Sequence, residues 1–235
     1  MPLILNIETS TQVCSVAVSQ GGAVIALQEI NERNVHAEMI TRFIQSALHK
    51  AKYKLNDLDA IAVGSGPGSY TGLRIGTSAA KGLCYALGKP LIAISTLKAM
   101  ATAAALIAAK RKADLFCPMI DARRQEVYTA LYDPAGKEII SPEARILDAS
   151  SFSGYLKDNT IAFFGDGMPK MKEILKQGRQ TEGGNGAEPR LLWLDTITAS
   201  AANMAGLAEE ACLKNDFKDV AYYVPFYLKD FVAKK

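Results

Sequence analysis

The densest concentration of residues able to do chemistry is the segment 64–76, GSGPGSYTGLRIG. Glycines admit positive φ and let another backbone or a ligand come close, and the amides at a helix start attract anions. Phosphate binding is therefore the first chemistry to test. Gly64, Gly66, Gly68 and Gly72 would shape the backbone, with Pro67, Tyr70, Thr71 and Arg74 among them. Two specific signatures are missing. A Walker loop runs Gly-Lys-Ser/Thr into its helix, whereas Gly72 is followed by Leu73 and Arg74. The dinucleotide fingerprint needs a third glycine where Ser69 or Thr71 stands. The competing reading is a tight turn feeding a closely packed helix, because Gly72, Gly76, Ala80 and Cys84 recur every four residues as a ridge of small side chains. The residues favour turn and packing, leaving Arg74 to meet an anion or a partner's carboxylate.

Other candidates are weaker. Glu8-Thr9-Ser10 follows the first apolar run, where a carboxylate at a strand end can hold a cation or simply bond a turn. The only histidines, His36 and His49, lie more than three helical turns apart, so helix spacing cannot make them share a metal. Neither has a nucleophile placed beside it by sequence, so a hydrolase reading finds no support. Cys14, Cys84, Cys117 and Cys212 form no Cys-x-x-Cys pair and read as reduced thiols. Asp121, Arg123, Arg124 and Glu126 share a short hairpin that binds an anion or caps a solvated turn. No catalytic residue, metal site or cofactor is expected.

The elements that must position these groups follow an order that repeats. Residues 3–9, 13–19 and 23–29 read as a three-strand meander turned by Gly21-Gly22. Apolar residues at Met39, Ile40, Phe43, Ile44, Ala47, Leu48 and Ala51 then mark one face of a helix, with Asn34 as its expected N-cap. A buried strand over 60–64 precedes the glycine segment. A helix over 71–87 stops at Gly88, with Pro90 beyond it. A strand over 91–95 and an Ala-rich helix from 96 to about 110 close the first half. After a charged stretch, strands over 115–121, 126–133 and 137–147 begin the order again. A short helix over 150–156, a strand over 161–165 and a helix over 169–176 follow. The last elements are a strand over 191–194 and a helix over 198–214. The polar, Gly-rich 178–190 reads as a surface loop with no role assigned. The spacing predicts two domains, 1–112 and 113–235, each an α/β unit with a mixed sheet flanked by helices. This is the ribonuclease H-like duplication of the actin, Hsp70 and sugar-kinase superfamily.

Composition narrows the class. At 49% hydrophobic and 22% charged, the chain has enough apolar surface for a core. A net charge of +3 is too small for a protein that grips nucleic acid on its own. The start, MPLILNIETST, lacks the basic region and cleavage site of a signal peptide, and the apolar run 99–109 is too short to cross a bilayer. A cytoplasmic protein without membrane attachment is expected.

Several motifs together resemble the TsaB (YeaZ) family: IETST, His36-Ala37-Glu38, GPGSYTGLRIG, Lys81-Gly82-Leu83, IDARRQEVY and PFYLK. The long motif commonly carries Phe where this chain has Tyr70. The resemblance implies a non-catalytic paralogue of TsaD, the transferase that places threonylcarbamoyl (t6A) on the adenosine beside the anticodon in tRNAs reading codons that begin with A. It also implies a heterodimer with TsaD, an ATPase partner TsaE, a homodimer when the chain is alone, and tRNA reached only through the complex. Where TsaD carries metal-binding histidines, this chain reads Ser95-Thr96-Leu97-Lys98-Ala99-Met100. The family's partner surface maps to the first domain's helices, with His36, Met39, Ile40, Phe43, Gly76, Ala79 and Leu83 as the expected interface. The rival expectation is an actin-superfamily ATPase or phosphotransferase using the 64–72 loop.

Overall fold

A computed structural model describes residues 1–108, 112–181 and 190–229, with backbone alone over 178–181. Contacts group the chain into two compact units, Met1–Ala99 with Ala199–Lys235, and Met100–Thr198. This differs from the expected division at 112. The sheet of the first unit has two apolar faces, and its second face is covered by a helix from the end of the chain. Continuity of sequence could not reveal that return.

In the first unit, β1 (Leu3–Glu8), β2 (Val13–Gln20) and β3 (Ala23–Asn31) form the expected meander. Strands β4 (Ala60–Gly66) and β5 (Leu91–Ser95) add parallel to β1, giving the order β3-β2-β1-β4-β5 with β2 antiparallel to its neighbours. Every residue of β1 is buried, as a central strand covered on both faces requires. Leu3, Leu5, Ile7, Ile61 and Val63 pack towards Ile40, Ile44 and Leu48 of α1 (His36–Ala51) and Ala80 and Cys84 of α2 (Tyr70–Leu87). Ile4, Ala62, Ile92 and Ile94 face the other way. They meet Ala99 of α3 (Thr96–Ala108) and Ala208 of a later helix, Ala205–Leu213.

The second unit repeats the pattern. Strands β6 (Leu115–Asp121), β7 (Glu126–Tyr132) and β8 (Glu138–Ile146) form its meander. They are followed by α4 (Ser153–Leu156), β9 (Ile161–Phe164), α5 (Met168–Thr181) and β10 (Leu191–Leu194). The order β10-β9-β6-β7-β8 is again three antiparallel-linked strands with two parallel additions, so each unit is ribonuclease H-like. Its core gathers Cys117, Met119, Val127, Leu131, Phe163 and Met171.

Several local expectations need correction. Asn34 is not the cap of α1. Val35 holds that position without a side-chain bond, while Asn34 takes a left-handed φ of 62°, a conformation its short polar side chain tolerates. Helix α5 continues through Thr181, so 178–181 is helix rather than loop, and 182–189 lies outside the described residues. The extension has no apolar stripe because α5 is already nucleated on the core, and polar formers such as Lys176 and Gln177 then propagate it. The expected helix over 198–214 divides into a 3₁₀ turn, Ala201–Met204, and α6, Ala205–Leu213. Ser200 causes the irregular start. Its hydroxyl donates to Glu29 Oε2 at 2.7 Å and accepts from the Ala202 amide. All four cysteines are free, and burial pushes the Cys14 and Cys84 thiols up to about 11.

Candidate functional site

The glycine segment folds back on the turn that follows β1. A Cβ on Gly64 would run into the Glu8 carboxylate, one on Gly68 into the Ser10 carbonyl, and ones on Gly72 and Gly76 into the Thr9 carbonyl and hydroxyl. These four glycines, spaced by four, thus grip residues 8–10 of their own unit. Thr9 Oγ1 donates to the Gly72 carbonyl at 2.8 Å, and the Ser69 amide donates to the Ser10 carbonyl at 2.6 Å. Ser69 also caps α2 by accepting from the Gly72 amide, and Gly88 ends that helix in a left-handed turn.

Glu8 lies at the centre of this turn, 1% exposed. Its carboxylate accepts from the Ser10 amide at 2.8 Å and from the Thr96 hydroxyl at 2.9 Å. Burial raises its pKa above the ordinary 4.5, against those hydrogen bonds. The Thr96 bond ties the first residue of α3 to the end of β1. Among the described residues, no group of three or more His, Cys, Asp or Glu comes together to hold a metal ion.

The expected interface residues divide. His36 and Ile40 are buried, His36 with an unpartnered Nε2, and Gly76 faces Thr9. Met39, Phe43, Ala79 and Leu83 are half-buried along α1 and α2. Beside them runs a cleft of about 640 Å³ lined by Ala37, Tyr70, Thr71, Arg74, Ile75 and Ser78. Ala37, Ile75 and Ser78 were not anticipated. For Ile75 and Ser78 the signal was helical spacing, since 71, 74, 75 and 78 share one face of α2. Tyr70, which replaces the commoner Phe, accepts a long hydrogen bond on its hydroxyl from Arg74 Nη1 at 3.4 Å, and the Arg74 guanidinium carbon sits 5.4 Å from the Tyr70 ring centre.

The end of the chain belongs to this site too, which the sequence did not foretell. Residues 217–229 cross the ends of β5 and β4. The Lys218 amide donates to the Leu91 carbonyl and the Phe226 amide to the Ser65 carbonyl, both at 2.8 Å. Lys81 Nζ, from α2, donates to the Ala221 and Tyr223 carbonyls at 3.1 Å each. Tyr223 packs against the core below, where burial raises its hydroxyl pKa. The Tyr227 ring lies 4.9 Å from that of Tyr70. The only forewarning was that Lys81 and PFYLK both stood among the family motifs.

In the second unit, the Asp121–Glu126 hairpin is held by the Asp121 carboxylate and by Lys170 of α5. Asp121 Oδ1 accepts from the Arg123 amide and from Lys170 Nζ at 2.6 Å, and Lys170 also reaches the Glu126 carbonyl. Arg123 and Arg124 stand exposed at φ of 70° and 50°. Asp166, whose pKa is raised by burial, accepts from the Asp121 amide.

Residues 24–235 match the family model described as TsaD: tRNA N6-adenosine threonylcarbamoyltransferase. The chain is 32% identical over 184 residues to the tRNA threonylcarbamoyladenosine biosynthesis protein TsaB of Bacillus subtilis, covering 77% of this chain and 78% of that one. It is 42% identical over 129 residues to TsaB of Escherichia coli, covering 55% of this chain but only 54% of the relative, about half its length. A solved Pseudomonas aeruginosa protein described as similar to the peptidase YeaZ superposes with a TM-score of 0.76 at 25% identity, covering 97% of this chain and all of that one. With the duplicated sheets, the glycine segment folded onto residues 8–10 and these relatives taken together, the chain belongs to the TsaB (YeaZ) family, paralogous to TsaD.

Proposed function

We propose that this chain is a non-catalytic subunit for threonylcarbamoyladenosine synthesis on tRNA, binding and activating a TsaD-type transferase through α1 and α2. One observation carries the reading. The stretch after β5, where the resemblance to TsaD sets metal-binding histidines, is spent on packing here. Thr96 bonds Glu8, and Leu97, Ala99 and Met100 are buried. No imidazole stands there to hold a catalytic ion. What remains available is surface. The half-buried strip of Met39, Phe43, Ala79 and Leu83 suits a helical partner that buries apolar side chains between polar rims. In isolation the same strip supports a homodimer, since a self-complementary apolar face finds a second copy. TsaE and tRNA then act through the complex rather than on this chain.

The test is reconstitution of tRNA modification from TsaD, TsaE and the enzyme that supplies threonylcarbamoyl adenylate, with and without this chain. Modification should depend on its presence. A variant carrying Met39→Asp and Leu83→Glu should lose both TsaD binding and stimulation while keeping its fold by circular dichroism. Wild-type affinity in that variant overturns the interface, and full modification without the chain overturns the function.

A further inference from the structure

Among the described residues, Arg74 is the only charged side chain lining the α1–α2 cleft, and it makes no ion pair. It is nonetheless held in place. Its guanidinium rests on the Tyr70 ring and bonds the Tyr70 hydroxyl. Tyr70 is in turn braced by the Tyr227 ring. Tyr227 stands on a segment tied down by the Phe226–Ser65 and Lys218–Leu91 backbone bonds and by Lys81 on two carbonyls. A flexible exposed arginine loses rotamer entropy when it binds, and a guanidinium already oriented by a ring face loses less. The arrangement is therefore that of a cation set in advance for an anion that the chain itself does not supply.

We propose that the C-terminal segment 217–227 is a positioning device that, through the Tyr227–Tyr70 ring pair, sets Arg74 to receive a carboxylate of the protein partner in the α1–α2 cleft. The choice of carboxylate rests on charge and shape. One guanidinium matches one carboxylate in a two-point pair, with Thr71 and Ser78 offering hydroxyls alongside and Ala37 and Ile75 giving the cleft an apolar wall. Polyphosphate or an RNA backbone calls for several cations, and the cleft has one. Arg74 is the recognition residue, while Tyr70, Tyr227 and Lys81 act through it. This inference deepens the proposed function and rests on it for the partner, but not for the positioning.

Two measurements separate those parts. In the chain alone, the side-chain Nε–H signal of Arg74 should be shifted by the Tyr70 ring current. Tyr227→Ala should move it towards the position of a free arginine, and Tyr227→Phe should restore it. An unchanged signal in Tyr227→Ala overturns the positioning, whatever any partner does. Binding to TsaD is then measured by calorimetry at about 0.05 and 0.3 M salt. Arg74→Gln should weaken it about tenfold or more, as expected for a lost charge-assisted pair, and flatten its salt dependence. Tyr227→Ala should cost several-fold on its own and nothing further in the Arg74→Gln background, because it acts only through Arg74. Equal affinity in Arg74→Gln, or losses that multiply, overturns the carboxylate pair. Failure of the wild-type chain to bind TsaD overturns the proposed function and the carboxylate with it. Titration with ADP and with inorganic phosphate is the remaining arm. A shift of the Arg74 signal at ligand levels below about 1 mM makes the anion a phosphate and replaces the carboxylate.

Discussion

Thr9 occupies the space where Gly72 and Gly76 would carry side chains, so these glycines answer to packing rather than to a ligand. Gly72→Ala should therefore destabilise the chain by at least about 2 kcal/mol in urea unfolding, at the severe end of overpacking, because its obstacle is the Thr9 backbone carbonyl, and Gly76→Ala by about 1–3 kcal/mol, because its obstacle is the Thr9 side chain. Gly82 is the internal control. It lies on α2 with nothing within 4 Å of an added Cβ, so Gly82→Ala should add about 0.5–1 kcal/mol through helix propensity alone. Glu8 makes a pH prediction. An acid whose folded pKa exceeds its unfolded value binds more protons when folded, so its contribution to stability is full below about 4.5 and falls as pH rises towards the folded pKa. Glu8→Gln removes that slope. Urea unfolding from pH 4.5 to 8 should show the variant gaining on the wild type as pH rises, and parallel curves would refute a buried acid of raised pKa.

Helix α2 serves three neighbours along its length, which explains why its composition is mixed. Its first turns grip residues 8–10, its middle covers the sheet through Ala80 and Cys84, and Lys81 reaches the C-terminal segment. The segment has little regular structure of its own, so its order depends on such ties. Lys81→Met keeps the stem and removes the two hydrogen bonds. It should cost about 1–2 kcal/mol, and amide hydrogen exchange at Tyr223 and Phe226 should quicken while the β1 amides keep their protection. Uniform loss of protection would mean that Lys81 holds the unit as a whole instead of the segment.

At the scale of the molecule, the first unit is completed by the end of the chain. Ile4, Ala62, Ile92 and Ile94 would keep only the partial cover of Ala99 if Met204 and α6 were absent, and each large apolar side chain buried there contributes about 1.5–3 kcal/mol. A fragment 1–112 should consequently fail to unfold cooperatively, whereas a fragment spanning 1–112 co-expressed with 199–235 should recover a cooperative transition by near-ultraviolet circular dichroism. Recovery by 1–112 alone would return the boundary to 112. Among the described residues no helix is long and apolar enough to cross a membrane.

Local pattern made much of this legible. The continuous apolar run of β1, the period of α1 and the Ser69 and Gly88 boundaries of α2 are set by neighbours in sequence, and the order of elements revealed two similar sheets. Motif residues placed the chain beside TsaB before any contact was known. Tertiary structure decided the rest: which way the glycines face, that His36, Ile40 and Gly76 turn inward, that α6 returns to the first sheet, that Tyr227 meets Tyr70 and that Lys81 holds the C-terminal segment. Those contacts join residues far apart along the chain, 63 positions for Thr9 and Gly72 and 142 for Lys81 and Tyr223. Their partners are chosen by how whole surfaces fit, and a periodicity read along the chain carries no information about that fit.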